Sequence, residues 1–344
     1  MAGRGGLYGS VVRPGLWLGS RVYGDLMAWR RFNYRCGWTK SFAVDVPVIS
    51  VGNLTTGGTG KTPMVAWIIR ELQAQGARPA VVTRGYKARE GKSDEAEMLS
   101  ASCGCPVIVN ADRVAGAKTA VIAGANVVVL DDGFQHCRLR RDVDVVLIDA
   151  TNPFGYDNVL PRGMMRERPQ ALKDAHFVII TRCDQVPAEE LRRIRRKVVR
   201  CNRKAEILCA VHRPKVLVDP QGEELDPTEL LGKRVLGFCG VGNPESFFTT
   251  LRDSGTELVG RIAYDDHAAY SEQTVEQVNQ LARDVDAEWL ITTEKDGVKL
   301  AGLNFQRPLW QLQVQMHLTQ GAFALRSKLN DLMLPIVSES DETD

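Results

Sequence analysis

The sequence predicts an α/β protein: a mostly parallel sheet, a second and smaller α/β unit, and a two-stranded β linker joining the two. Three observations lead there. Short, continuous apolar runs alternate with helical patterns, as in parallel sheets covered on both faces. A glycine-rich loop separates one of these runs from the helix after it. A second, shorter strand–helix series comes later, flanked by two β-like stretches.

Taken in order, strands are expected at Val46–Val51, Pro79–Thr83, Val107–Asn110, Val127–Asp131, Val143–Asp149 and Phe177–Thr181. Helices are expected between them at Thr62–Gln75, Asp94–Ser102, Arg113–Ala123 and Pro187–Val199. This first unit takes in residues 1–205. The second, residues 206–316, should hold strands Arg234–Cys239, Glu257–Ile262 and Glu288–Thr292 and helices Pro244–Asp253 and Ser271–Val285. Glu206–His212 and Leu309–Met316 bracket it and are expected to pair as a hinge. Residues 317–344 should return to the first unit as a helix and end in the acidic tail Ser338–Asp344.

Composition narrows the function. Hydrophobic residues make up 44% and charged residues 25%, which suits a folded soluble protein. A net charge of +2 lacks the basic excess of a dedicated nucleic-acid binder. The eight cysteines contain no C-x-x-C pair, so neither a zinc site nor a disulfide framework is expected, and a reducing cytosol fits. No run approaches the roughly 18 apolar residues of a membrane span, and no signal peptide is evident.

The chemistry centres on the loop after Val46–Val51. Thr55, Thr56, Gly57, Gly58, Thr59, Gly60, Lys61 and Thr62 lie between a strand and a helix, the context a phosphate loop requires. Glycines let backbone N–H groups turn in around phosphate oxygens, and the helix N-terminus adds positive charge. Lys61 can reach the β- and γ-phosphates, and the Thr62 hydroxyl can hold Mg²⁺. Pro63 suits a first helical turn. The usual opening glycine is replaced by Thr55. The first unit is thus a P-loop NTPase-type domain, and ATP with Mg²⁺ is its expected cofactor pair.

Carboxylates follow at strand ends. Val127–Leu130 runs into Asp131-Asp132-Gly133-Phe134-Gln135-His136, where one carboxylate could hold Mg²⁺ or its water and the other orient a neighbour. Asp94 and Glu95, by themselves, read as a helix N-cap and acidic first turn. His267 by itself reads as a loop histidine. Gly163–Pro169 suits either a solvated turn or a phosphate contact, and Arg113 admits both readings too.

Together these residues resemble the tetraacyldisaccharide 4'-kinases, the lipid A 4'-kinase family. The resemblance rests on Ser50–Thr55, Gly57–Pro63, Thr83-Arg84-Gly85-Tyr86, Asp94-Glu95-Ala96, Asp112-Arg113 and Asp131–His136. It continues with Leu160-Pro161, Arg166-Glu167, Phe238-Cys239-Gly240, Asn243-Pro244 and Thr292–Asp296, in order from about residue 46 to 300. It implies a kinase that phosphorylates the 4'-hydroxyl of a tetraacylated glucosamine disaccharide 1-phosphate, giving lipid IVA. It further implies two α/β domains with a two-stranded linker. On this resemblance Asp94 is the catalytic base and His267 its partner, beside Lys61. Asp132 and Glu167 are magnesium-side carboxylates with Asp131 beside them. Arg166, Arg113, His136 and Glu95 are substrate-side groups. The chain departs from the family at Ser93, in a short Arg84–Asp94 loop and around Arg162–Met165.

Near the N-terminus, Leu16, Leu18, Val22, Tyr23, Leu26, Met27 and Trp29 share one broad side of a helical wheel, opposite Arg21, Arg31 and Arg35. That pattern suits a membrane interface as well as a helix packed on the domain. The family resemblance implies a lipid substrate and the cytoplasmic face of a bacterial inner membrane as partners, and peripheral contact through this helix by a monomer is expected. Two other readings compete. Thr181-Arg182-Cys183-Asp184 after a strand is similar to a guanine-recognition loop and would suit a GTPase or nucleotide switch. A membrane-docking ATPase or adaptor is the other.

Overall fold

The computed structural model describes residues 7–85, 96, 99–100, 103–266, 268–300 and 302–334, with side chains from residue 12 onward. Twelve strands form one sheet: β1 Val48–Asn53, β2 Pro79–Thr83, β3 Val107–Val109, β4 Val127–Asp131, β5 Val143–Asp149, β6 Phe177–Thr181, β7 Glu206–Val218, β8 Glu224–Leu225, β9 Arg234–Cys239, β10 Glu257–Ala263, β11 Trp289–Thr293 and β12 Leu309–Gln320. Their order is β10-β9-β11-β12-β7-β6-β5-β1-β4-β2-β3, with β8 on β7. Neighbours are parallel except β7 with β12 and β7 with β8.

Among the described residues the helices of ten residues or more are α1 Leu7–Arg35, α2 Lys61–Ala74, α3 Arg113–Ile122, α4 Ala188–Cys201, α5 Pro244–Asp253, α6 Glu272–Asp284 and α7 Ala322–Met333. Every residue of β1, β4 and β5 is buried, as strands covered on both faces must be. One face packs Ile49, Val51 and Val145 against Ile68, Ile69 and Leu72 of α2 and Leu325 and Leu329 of α7. On the other, Val146, Ile148 and Val178 meet Ile194 and Val198 of α4, while Val128 and Leu130 meet Val114 and Ala117 of α3. Leu72 is fully buried, so truncating it to alanine would cost about 2–5 kcal/mol.

Two boundaries differ from the sequence expectation for physical reasons. β1 begins at Val48, whose N–H donates to Asp142 Oδ2 at 2.7 Å, and it runs on through Gly52 to Asn53. At Gly52 the chain passes so close to Phe134 that a Cβ would sit 2.5 Å from the Phe134 Cβ. The two linker strands are longer than expected because they pair antiparallel along most of their length, from Cys209↔Gln320 through His212↔Met316 to Val218↔Gln311. α7 then packs back on α2, and Arg326 clasps Glu71 at 2.8 and 2.9 Å.

α1 is amphipathic in an inverted sense. Its protein-facing side carries Ser20, whose hydroxyl donates to Val159 O at 3.0 Å, and the buried Arg31. Trp17, Leu18, Val22, Leu26, Trp29 and Phe32 stand in the open, Trp29 at 63% exposure. Gly24 marks a close approach: a Cβ there would lie 2.8 Å from Arg168 Nε. No described helix is long and apolar enough to cross a membrane.

Candidate active site

The phosphate loop hangs between β1 and α2. Gly57 and Gly60 have φ of +121° and +90°, a region side chains resist, and Gly60 caps α2. Thr55 makes an antiparallel bridge with Met165 instead, which is why threonine serves where the usual pattern has glycine. Next to it Thr56 N–H donates to Met164 O at 2.7 Å and Arg166 N–H to Leu54 O at 2.6 Å. The phosphate loop and the Gly163–Glu167 loop are therefore stitched together through their backbones. Asn53 Nδ2 and Thr181 Oγ1 hold Thr59 from below, each at 3.0 Å. Under Gly60 lies His212 of β7, with its Nε2 2.6 Å from where a Cβ would be. Burial and nearby Arg182 push this imidazole down to about 3, so it stays neutral.

Asp132 is the charge centre of the site. It adopts a left-handed φ of 54°, and its Oδ2 accepts from Arg166 Nη1 at 2.6 Å. Lys61 Nζ stands 3.6 Å from its Oδ1, an oxygen that is itself buried and without a hydrogen-bond partner. Burial opposes its ionisation, but Lys61 and Arg166 outweigh that and hold the carboxyl below the ordinary aspartate value. Asp131, at the end of β4, is buried and accepts from Thr83 Oγ1 at 3.3 Å.

Arg113, the first residue of α3, is buried and bonds Asn110 O at 2.9 Å, leaving its Nε unpaired. Burial lowers its pKa, and the charges of Asp131 and Asp132 work the other way. His136 is pushed down to about 4 by burial and by Arg113, Arg30 and Arg141, and its buried Nε2 has no partner. A neutral imidazole and a guanidinium with a spare donor thus flank the Asp131-Asp132 turn.

Glu167 was expected on the magnesium side. The structure turns both of its oxygens to Arg31 of α1, at 3.2 and 2.5 Å, with the pair almost fully buried. Arg31 also donates to Phe134 O at 2.9 Å, stacks on the Phe134 ring at 4.3 Å and reaches Asp174 at 2.8 Å. Burial would depress this guanidinium, and Glu167 raises it instead. The helical wheel groups Arg31 with Arg21 and Arg35, opposite the apolar residues of α1. Its long-range partners are what place it inside.

Asp94, Glu95 and His267 lie outside the described residues, as does most of the expected helix Asp94–Ser102. The segment before position 267 is described. There Asp266 accepts from Lys295 at 2.9 Å and approaches Gly242 of the second unit. The guanine-loop reading of Thr181–Asp184 finds a different use for its residues. The Thr181 hydroxyl holds the phosphate loop, and Arg182 forms a buried ion pair with Asp149. Asp149 and Asn243, also drawn into this pair, were missed. The available signal was an aspartate ending an apolar strand, as at Asp131.

The arrangement suits a polyphosphate: a glycine-bearing loop at the N-terminus of α2, the cations Lys61 and Arg166, and one ionised carboxylate on the rim. Among the described residues, no three His, Cys, Asp or Glu side chains gather to cage a metal ion. A magnesium ion carried by a nucleotide needs no such cage, since phosphates and waters fill most of its shell.

Comparison with known proteins agrees with this chemistry. The family described as tetraacyldisaccharide-1-P 4'-kinase matches residues 12–333. A tetraacyldisaccharide 4'-kinase of Syntrophotalea carbinolica is 37% identical over 337 residues, covering 92% of this chain and 90% of that protein. One from Geobacter metallireducens is 37% identical, covering 79% and 83%. The crystal structure of LpxK from Aquifex aeolicus in complex with ATP is 25% identical, superposes with a TM-score of 0.72, and covers 94% of this chain and all of the other.

Proposed function

Because the chain belongs to the tetraacyldisaccharide-1-P 4'-kinase family, we infer that it transfers the γ-phosphoryl group of ATP to the 4'-hydroxyl of a tetraacylated glucosamine disaccharide 1-phosphate. The observation that carries the reading is Lys61 and Arg166 converging on Asp132 at the mouth of the phosphate loop.

In the reaction the 4'-oxygen attacks the γ-phosphorus, the bond to the β–γ bridging oxygen breaks, and ADP leaves. The hydroxyl proton passes to a base, the role proposed for Asp94 with His267 as its partner. The loop N–H groups and Lys61 stabilise the charge that spreads over the phosphoryl oxygens. Arg166 is tethered to Asp132 and to the loop beside it, so its guanidinium is held in place before substrate arrives. Arg113, His136 and Glu95 are proposed on the acceptor side.

Magnesium fits the donor set. Asp132 Oδ1, which has no hydrogen-bond partner, and the Thr62 hydroxyl at the start of α2 would hold it directly or through water, with Asp131 adjacent. Bound there it would neutralise β- and γ-phosphate charge. Glu167, engaged by Arg31, supports the Arg166-bearing loop from behind.

The substrate lies in a bilayer, and the outward apolar face of α1 supplies the contact that a peripheral enzyme needs. The cytoplasmic side of the inner membrane, where ATP is present, is the proposed location, with the two units acting within one chain about the β7–β12 pair. The test is nucleotide and acceptor choice. Turnover that requires the disaccharide lipid and prefers ATP to GTP supports the reading. GTP hydrolysis independent of lipid would overturn it.

A further inference from the structure

The two units touch away from the β7–β12 pair, and the contact is polar and specific. Asn243, in the loop Gly240–Asn243 after β9, sends its Nδ2 across to Asp149 Oδ2 at 3.0 Å and Thr151 Oγ1 at 2.8 Å. Its Oδ1 meanwhile accepts from Ser246 N at 3.2 Å and caps α5. One residue before it, Gly242 lies against the phosphate loop: a Cβ there would be 3.0 Å from Gly58 N and 3.3 Å from Gly57 Cα.

From these contacts we propose that Asn243 is a positioning residue for phosphoryl transfer, holding the Gly240–Asn243 loop on the phosphate loop. The inference rests on the kinase reading above.

The receiving end is built to stay put. Asp149 is buried and accepts from Thr151 N at 3.0 Å, Thr151 Oγ1 at 2.7 Å, Arg182 and Asn243. Three of these four donors belong to the first unit, so the carboxylate remains satisfied without Asn243. The Asn243 bond is thus spare for folding and available for docking. Arg182 follows Thr181, which grips the Thr59 carbonyl of the phosphate loop. Asn243 therefore docks on the element that supports the loop from below, while Gly242 covers it from the side.

The same loop positions the acceptor side. A Cβ on Gly240 would be 3.1 Å from Asp265 O, and one on Gly242 would be 3.4 Å from Asp266 Oδ2. Moving the Gly240–Asn243 loop therefore moves the segment leading to position 267. Displacements of about 1 Å around reacting groups can cost on the order of 10²-fold in rate.

The test separates docking from helix capping. Serine and aspartate both cap helices well, so Asn243→Ser and Asn243→Asp preserve the cap. Serine is too short to reach Asp149, and aspartate sets a carboxylate against it. The expected result is kcat lower by about tenfold for Asn243→Ser and by about 10²-fold for Asn243→Asp, with ATP affinity within about twofold of the parent. Adding Asp149→Asn to Asn243→Asp should recover part of the loss, because the donor and acceptor are then exchanged. Gly242→Ala, which crowds Gly58, should also lower kcat. Parent-like kcat in both Asn243 variants, or a change confined to ATP affinity, would overturn the inference. An Asn243→Asp protein that fails to fold leaves Asn243→Ser and Gly242→Ala to decide, each checked by Tm. A parent enzyme inactive on the disaccharide lipid would instead defeat the kinase reading itself.

Discussion

Arg31 of α1 and Glu167 of the Arg166-bearing loop form a buried ion pair, 2.5 Å at its shortest, with side chains only 6% and 3% exposed. The helix whose outer face is apolar is thereby fixed to the loop that positions Arg166 against Asp132. The face proposed to meet the membrane and the loop proposed for phosphate chemistry are joined by this pair.

Arg31→Ala leaves Glu167 buried without its main partner, a change that costs about 3–5 kcal/mol. The expected loss of Tm is on the order of 10 °C. Arg31→Lys keeps the charge but not the two-pronged geometry and should fall between. Thermal unfolding checks both, and an unchanged Tm for Arg31→Ala would show that the pair contributes nothing.

Lys61→Ala should abolish almost all turnover while leaving Tm within a few degrees, because Lys61 is partly exposed and its partner Asp132 keeps Arg166. Steady-state kinetics beside a melting curve checks this. Near-normal kcat in the folded variant would remove the phosphate-loop assignment.

The outward residues of α1 should govern vesicle binding and not stability. Replacing Trp17, Leu18, Leu26 and Trp29 with polar residues should weaken co-sedimentation with anionic vesicles and leave Tm unchanged, since all four are exposed. The activity deficit should shrink when the acceptor is dissolved in detergent. Equal sedimentation of parent and variant would count against a membrane-facing α1.

His136 sets a pH dependence. Burial and the surrounding arginines lower its value from 6.5 to about 4, so between those values the unfolded chain binds the proton and the folded one does not. Its contribution is complete above pH 6.5 and is lost as pH falls towards 4. His212, also depressed, acts in the same direction. Discounted for partial exposure, the His136 share is about 1–2 kcal/mol. His136→Gln should flatten the stability profile in that window by this amount. A variant profile parallel to the parent's would show that His136 is solvated.

Much of the fold was legible because local signals agreed with burial. The apolar runs at Val127–Asp131 and Phe177–Thr181 are strands at those residues, and the glycine–lysine–threonine loop sits where a strand meets a helix. What stayed hidden depends on contacts between distant residues. Arg31 meets Glu167 across 136 positions and Asn243 meets Asp149 across 94, so no window of sequence contains either pair. The helical wheel groups Arg21, Arg31 and Arg35, yet of these three the structure buries Arg31 alone, and the wheel does not say which face the protein takes. Arg182 reads from sequence as part of a guanine-like loop, and only its buried carboxylate partner shows what it does instead.

The reaction inferred for this phosphate loop is phosphoryl transfer to a lipid hydroxyl. The most direct measurement supplies γ-labelled ATP and a tetraacylated glucosamine disaccharide 1-phosphate to the purified protein, beside the Lys61→Ala variant. Label is expected in the disaccharide lipid at the 4'-position with the parent protein, and none above background with the variant. Label released only as inorganic phosphate, or equal labelling of the lipid by both proteins, would contradict it.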